Sequence, residues 1–516
     1  MKKGKLFVFS LLIFCIFSVK IYAANNIKDT YKIQYVNNYT NKFFNYVDGY
    51  SMDIPSNAVL SFDGDQNSSR LDFNGNTVKI FIQDFNKNFN YLDYEVYSMK
   101  GLLNNQNDHY FSLNGIVNTK FGKARAVEFS RRKLSRVKND ANNYFILIQK
   151  LPDGRALTVM AKSSGPMYRN NIINMVNSMS FNVPRTAGPY IRKSKDVYFD
   201  NNGNEIRNRS WSPETKSLYV NDFIKSNKTT WGIFIHDFWR YNMVPNYEAM
   251  VGSKFKYMIL YHNFNENNQN VTDSINNAKM NERIVELTLQ TDMQNGRNII
   301  YDVLDGKKDE FLKDMANRIK EQGYPTLFRL GNEMNGDWCS YSAWNTALDS
   351  DIYKEFYNYI YNIMENAGAN QYLIYVFNPN GRSFPDFKYN QESMYRPLDA
   401  RFDVCGLTLY NTGNYYKGEK WETFDELYGP LYKHDVERFD KPLMIGEFGC
   451  SSIGGYKPAW TRDMLNKMSQ YNRIKVAIWF NGIDRDANGN PARIYVIDDP
   501  KENVQVFKEY FSKLKK

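Results

Sequence analysis

Histidine and cysteine are scarce in this chain, with four of each among 516 residues. No C-x-x-C and no H-E-x-x-H occurs, so a zinc site finds little support. Cys15 lies in an N-terminal apolar run, which leaves Cys339, Cys405 and Cys450. An odd number of cysteines does not make a disulfide framework. Neither G-x-G-x-x-G nor a Walker sequence is present, so a phosphate-cradling loop is not indicated. G-x-S-x-G is missing too: Gly449-Cys450-Ser451-Ser452-Ile453 ends wrongly for a serine hydrolase. No dense Lys/Arg stripe appears, which argues against nucleic acid as a partner. Beyond the N-terminus no run is apolar enough to span a bilayer.

That N-terminus is distinctive. Lys2, Lys3 and Lys5 precede an apolar run from Leu6 to Val19, and Ile21-Tyr22-Ala23-Ala24 follows. A basic region, a short hydrophobic core and small residues together predict a signal peptide, residues 1–23, cleaved near Ala23. The expected location is secreted or cell-surface; the alternative is an uncleaved anchor. Losing the four lysines of this segment takes the formal charge from +10 to +6. A mildly basic exported chain is expected to linger on anionic cell-wall polymers. Aromatics reach 16%, mostly Tyr and Phe. Such a composition suits a sugar-like ligand, because ring faces stack on sugars and amides bind hydroxyls. It equally suits a genome whose codons favour Asn, Lys, Tyr and Ile.

Three regions follow. Residues 24–185 read as a smaller α+β domain of unassigned role. Strand-like runs occupy Thr77–Ile82, Ala124–Ser130, Tyr144–Leu151 and Ala156–Ala161, and a closing helix is expected over Tyr168–Met179. Residues 186–229 are polar and irregular, a linker or packed connector. From 230 to 516, eight apolar runs alternate with helical periods: 231–238, 255–264, 284–291, 326–330, 372–378, 403–410, 442–448 and 474–480. Near-continuous apolar strands alternating with helices imply a covered parallel sheet. Eight such units predict an α/β fold of the (β/α)8 TIM barrel type, with an open doubly wound sheet as the alternative.

In such a barrel the working residues stand where strands end. The run ends here carry His236, His262, Gln290, Asn332, Glu333, Asn378, Tyr410, Glu447 and Trp479. Glu333 and Glu447 on runs four and seven give two carboxylates to one cleft. That is the usual minimum for hydrolysing a glycosidic bond. One must protonate the leaving oxygen; the other must attack the anomeric carbon or activate water. His236 and His262 are candidate substrate-binding residues. Arg329 is expected to face inward and pair with an acidic residue. Asp484-Arg485-Asp486-Ala487-Asn488-Gly489 starts like a calcium loop, but Tyr495 stands where the closing Glu belongs, and a turn is expected.

FRLGNEMNGDW (328–338), DVCGLTLYNTG (403–413), KPLMIGEFG (441–449) and IKVAIWFNGIDRD (474–486) resemble glycoside hydrolase family 26, over roughly residues 225–505. This is a clan A family of retaining enzymes that includes β-mannanases and β-glucanases. The resemblance implies that Glu333 is the proton donor and acid/base and that Glu447 is the nucleophile. It implies that Tyr410 hydrogen-bonds the nucleophile, that Trp338 walls the subsite of the attacked sugar and that Trp479 floors the cleft. Asn332 is placed to bind the 2-hydroxyl of that sugar. It is also a departure, because mannanases of the family usually show His-Glu there. Cys339-Ser340-Tyr341-Ser342 departs as well, from an aromatic run. The expected function is a retaining endo-β-glycosidase acting on β-mannan or β-glucan, a monomer with no metal or cofactor. The alternative is a cell-surface glycan-binding protein with little turnover.

Overall fold

The computed structural model describes residues 23–85, 89–241 and 243–515. The expected signal segment lies outside the described residues except for Ala23. Among the described residues, no helix is long and apolar enough to cross a membrane.

Residues 23–56 and 178–191 make one unit. Its three antiparallel strands are Tyr31–Asn37, Thr40–Asn45 and Tyr50–Pro55, in that order. Phe43, Tyr50, Met52, Ile54 and Met179 are among its buried apolar residues. The returning segment joins through Ser51 and Ser180, whose backbones exchange two hydrogen bonds of 2.8 Å.

Residues 57–177 and 192–515 make the other unit. The compact units therefore do not follow the boundary expected at residue 185. The α+β portion here is a seven-stranded antiparallel sheet. Its strands run in the order Val59–Asp63, Ser68–Phe73, Asn76–Gln83, Ala156–Ser163, Asn143–Lys150, Gly122–Arg131, His109–Thr119. All four strand-like runs of the sequence fall on its strands, with only Leu151 beyond a strand end. The central strand Ala156–Ser163 is buried along its whole length, so both faces are covered. One helix, Tyr91–Asn104, starts at a capping box in which Asn90 and Asp93 satisfy each other's backbone donors. It buries Tyr94, Ser98, Met99 and Leu102.

Eight parallel strands close into a barrel. They are Thr230–Phe234, Tyr257–Asn263, Ile284–Gln290, Thr326–Leu330, Leu373–Phe377, Val404–Asn411, Leu443–Cys450 and Ile474–Phe480. Each lies within or overlaps one of the eight apolar runs. Helix Asp309–Gln322 ends at Gly323, which takes the left-handed conformation of a C-cap. Inside the barrel, Tyr257, Ile259, Ile284, Leu327, Ile374, Val404, Met444 and Val476 form one apolar cluster. Tyr198, Phe199, Tyr219 and Phe223 of the connector join that cluster. The connector is therefore packed structure that closes the floor of the barrel, and the polar residues are left to its mouth.

Candidate active site

The fourth barrel strand alternates. Leu327 points into the barrel cluster, Phe328 and Leu330 point to the helices, and Arg329 points inward again. Then the chain turns sharply. Gly331 has φ +57°, and a Cβ there would meet the Tyr353 ring at 2.9 Å, so only glycine fits. Glu333 itself has φ +53°, a conformation that costs about 1–3 kcal/mol for a residue with a side chain. The turn is pinned by Glu333 N–H donating to the Asn378 carbonyl at 2.7 Å. Strain held in this way aims the carboxyl at the cleft.

Two donors reach that carboxyl. Asn380 Nδ2 donates to one oxygen at 2.5 Å and Trp338 Nε1 to the other at 3.3 Å. Burial, and then the charge of Glu447, push its pKa up to about 7, against the pull of Asn380, Arg329 and Trp338. A carboxyl at that value holds or releases a proton near neutral pH.

Glu447 sits on the seventh strand at an irregular register. The bulge brings Gly446 inward together with Glu447. A Cβ at Gly446 would lie 2.1 Å from Asn378 Oδ1, so this position also demands glycine. Glu447 is 4% exposed and meets four donors. Arg329 Nη1 at 3.2 Å and Asn332 Nδ2 at 3.1 Å serve one oxygen. Tyr410 Oη at 3.1 Å and Tyr261 Oη serve the other. Burial and the Glu447 charge push both phenols well up, so both keep their protons and donate. An acceptor-only carboxylate matches such a set. Asn332 is oriented by Gln290, whose Nε2 donates to its Oδ1 at 2.7 Å.

Beneath lies a residue that strand-end reasoning missed. Glu286, on the third strand, is fully buried and 3.5 Å from Arg329 Nε. Neither of its oxygens has a hydrogen-bond partner. Burial pushes its pKa up to about 7, Glu447 adds to this and Arg329 opposes it. Tyr261, Arg329, Asn378 and Asn380 complete the surroundings of the two carboxylates. For Glu286 the available signal was the period-two alternation of its strand, which turns it to the same side as Ile284.

The structure thus brings Glu333, Glu447, Asn332, Trp338 and Tyr410 together. Two expected residues face the other way. Trp479 is fully buried on the helix side of the eighth strand, with its Nε1 donating to the Tyr495 carbonyl at 2.8 Å. Its ring packs edge-on against Phe448 and Phe507, both at 5.3 Å. The neighbour Phe480 takes the inward place, stacked 4.6 Å from Phe234. Alternation by one residue decides this: Val476 and Ile478 face in, so Trp479 faces out. His262 follows the same rule. Tyr261 faces Glu447, so His262 is buried among helices, bonded to Asn268 at 2.8 Å and stacked on Phe311 at 5.6 Å. His236 is exposed beyond the first strand, where its ring nitrogen meets Asp237 at 3.6 Å and neither carboxylate. The Asp484–Gly489 stretch forms a hairpin turn in which Asp486 accepts from the backbones of Asn488 and Asn490. Among the described residues no group of three His, Cys, Asp or Glu is arranged to hold a metal.

Residues 274–479 match the family model for glycosyl hydrolase family 26. Endoglucanase H of Acetivibrio thermocellus is 28% identical over 186 residues, 35% of this chain and 20% of that protein. A mannan endo-1,4-beta-mannosidase of Bacillus subtilis is 32% identical over 149 residues, 28% of this chain and 36% of that protein. The match thus spans between a fifth and about a third of the length of these relatives. Among solved structures, the catalytic domain of a family 26 endo-beta-1,4-mannanase from a Bacillus species has a TM-score of 0.45 at 16% identity, covering 61% of this chain and 94% of that one. The stretch 274–479, which holds both carboxylates at the ends of strands four and seven, is similar to glycosyl hydrolase family 26.

Proposed function

We propose that this chain is an exported, retaining endo-β-glycosidase that cleaves β-mannan or β-glucan by double displacement. One observation carries the reading: Glu333, with its pKa raised to about 7, shares a cleft with Glu447, which accepts four hydrogen bonds. The names of the relatives, an endoglucanase and a mannosidase, support both the bond type and the two candidate glycans.

In the first step Glu333 gives its proton to the glycosidic oxygen. Glu447 attacks the anomeric carbon as the C–O bond breaks, and the leaving sugar departs as an alcohol. The covalent ester cancels the charge on Glu447. The repulsion that helped raise the Glu333 pKa is then gone, so its carboxylate can take a proton from water. That water attacks the same carbon and frees Glu447. Asn332 stands between the two roles, with its amide on Glu447 and its backbone oxygen accepting from Tyr341 Oη at 2.6 Å. It is placed to bind the 2-hydroxyl of the attacked sugar. Glu333 gives one proton and regains one from the attacking water, whose oxygen forms the new bond to the anomeric carbon as the bond to Glu447 breaks. The N-terminal segment supports export, and the basic balance supports retention on cell-wall polymers. A monomer suffices, because one barrel holds both carboxylates.

The test is a screen on mannan, mixed-linkage glucan, carboxymethylcellulose and β-1,3-xylan, with product analysis. Glu333→Gln and Glu447→Gln are each expected to lower turnover by about 10²–10⁴-fold. Azide with an activated aryl substrate is expected to rescue Glu447→Ala and give the glycosyl azide of inverted configuration. Near-normal turnover in either Gln variant overturns the assignment. Tight glycan binding without release of reducing ends would favour a binding protein instead.

A further inference from the structure

Helix Tyr91–Asn104 belongs to the seven-stranded sheet, yet its middle turn reaches the loop that carries Trp338. Tyr97 Oη donates to Asp337, and the Tyr97 carbonyl accepts from Trp344 Nε1 at 2.9 Å. Burial and the Asp337 charge push the Tyr97 phenol up, so the hydroxyl remains a donor. The ring is thereby fixed before any ligand arrives.

Large apolar side chains around this contact are exposed. Trp338 is 54% and Phe384 44% exposed, and their rings lie 5.4 Å apart. On the helix, Leu92 is 63% and Val96 59% exposed. Exposed single residues are ordinary, but a run of them beside a reactive carboxyl signals a binding surface. Phe384 is not loose, since its N–H donates to the Asn335 carbonyl at 2.8 Å.

The surface also has depth. A cavity of about 730 Å³ is lined by Asn380, Arg382, Phe384, Tyr97 and Phe89, among others. Asn380 is the residue whose amide donates to Glu333. The cavity runs from Asn380, one hydrogen bond away from the acid, past Phe384 to Tyr97 and Phe89 of the sheet's helical side, with Leu409, Leu427 and Leu431 along its other wall. Phe89, Leu92, Val96 and Tyr97 line a second hollow just beyond. Aromatic faces spaced along a groove, with a guanidinium and an amide at its edges, suit sugar rings. Pyranoses present C–H faces to rings and hydroxyls to polar edges.

We propose that helix Tyr91–Asn104 builds an outlying subsite of the cleft, in which Phe384, Tyr97 and Phe89 carry further sugar rings of the same β-linked glycan beyond the bond at Glu333. This inference rests on the glycosidase reading for the identity of the ligand. It makes the seven-stranded sheet part of the substrate site, and it explains why apolar residues of that helix are left uncovered. Long chains gain these contacts and short ones do not.

The test uses the full chain with Glu333→Gln, so that bound sugar is not consumed. Calorimetry compares mannohexaose with mannobiose, and mixed-linkage glucohexaose with its biose. The hexaose that binds is expected to bind more tightly than its biose. Tyr97→Ala is expected to weaken hexaose binding about tenfold and leave the biose unchanged. Leu92→Glu with Val96→Glu changes only exposed positions, which guards against a folding defect, and is expected to weaken the hexaose about threefold. A hexaose-to-biose ratio unchanged in both variants overturns the inference. So does a protein that binds neither hexaose more tightly than its biose. Failure of the glycosidase reading shows separately, as missing turnover by the unsubstituted chain while the binding ratio still reports on the groove.

Discussion

Two buried ionic clusters in this chain behave in opposite ways. The first lies where the seven-stranded sheet meets the loop after the fourth barrel strand. Lys79 approaches Asp63, Asp349 and Asp351 at 3.2, 3.5 and 2.9 Å. Lys162 bonds Asp349 and Asp351, both at 2.8 Å, while Arg70 and Lys354 reach Asp351 at 2.9 and 2.8 Å. Burial raises the pKa of each of these three aspartates, but the cations more than offset it, and all three end below the usual range. The second cluster lies under the mouth of the barrel. There one guanidinium, Arg329, serves Glu286 and Glu447, with Glu333 close by. Burial is just as deep, yet Glu286 and Glu333 are pushed up to about 7. The difference is the number of cations. Where charges balance, the carboxylates are locked and the cluster serves as structure. Where positive charge is short, protons are held near neutral pH and are available for chemistry.

The sharpest way to break this contrast is Arg329→Met. It removes the guanidinium that serves both Glu286 and Glu447 and leaves them without it. Unfolding in urea is expected to show a loss of about 3–5 kcal/mol. Turnover is expected to fall by about a thousandfold or more, since the orientation of Glu447 goes with it. A variant within 1 kcal/mol of the parent would mean that Arg329 does not hold this site together. Lys79→Met makes the matching cut in the seam. It is expected to cost about 3 kcal/mol by the same measurement. The pH dependence of turnover should stay where it was, because no seam residue contacts Glu333 or Glu447. A shifted pH profile would couple the two clusters and end the contrast.

Glu286→Gln separates the protons of the barrel cluster. The folded-state pKa of Glu286 is raised, from an ordinary 4.5 to about 7. The folded chain therefore binds that proton more tightly than the unfolded chain does. Stability from this group is fully present below about pH 4.5 and is lost as the pH rises to about 7. The loss is about 3 kcal/mol at 1.36 kcal/mol per unit. The Gln variant should lack that slope and be the more stable protein above neutrality. Glu333 contributes a slope of the same sign, so part of the decline remains in the variant. Urea unfolding at a series of pH values measures the difference between the two proteins. A difference that does not change with pH would show that Glu286 does not titrate in this range.

Much of this arrangement is legible in the sequence, and what is not has a physical reason. Eight apolar runs mark the eight strands, because buried parallel strands need apolar residues on both faces. Glu333 and Glu447 stand out because strand ends open into the mouth. Facing is harder to read, since one residue of register exchanges inside and outside. Trp479 and His262 fall on the wrong side of that parity, and Phe480 and Tyr261 take their places. In strand seven the bulge shifts the parity again, so that Gly446 and Glu447 both turn inward. Glu286 is hidden for another reason: a charged residue in mid-strand gives no motif, and only the closed barrel reveals its partner. The seam cluster is hidden by distance. Lys79 and Asp351 are far apart in the chain, and no local pattern pairs them.

The smallest effect tests the rule most finely. Lys354 belongs to the seam cluster, but it is 26% exposed at its edge and pairs with Asp351 three residues away on the same helix. Asp351 keeps Lys79, Lys162 and Arg70 when Lys354 is gone. Lys354→Met is therefore expected to cost less than about 1 kcal/mol, the ordinary value of a partly exposed pair. Raising the salt concentration should shrink even that difference, because screening reaches this edge and not the interior. If cation count is what sets the behaviour of a cluster, a cluster with cations to spare must tolerate the loss of one. A cost for Lys354→Met equal to that of Lys79→Met would show that each pair counts singly. The raised pKa values of Glu286 and Glu333 would then need a cause other than the shortage of positive charge around Arg329.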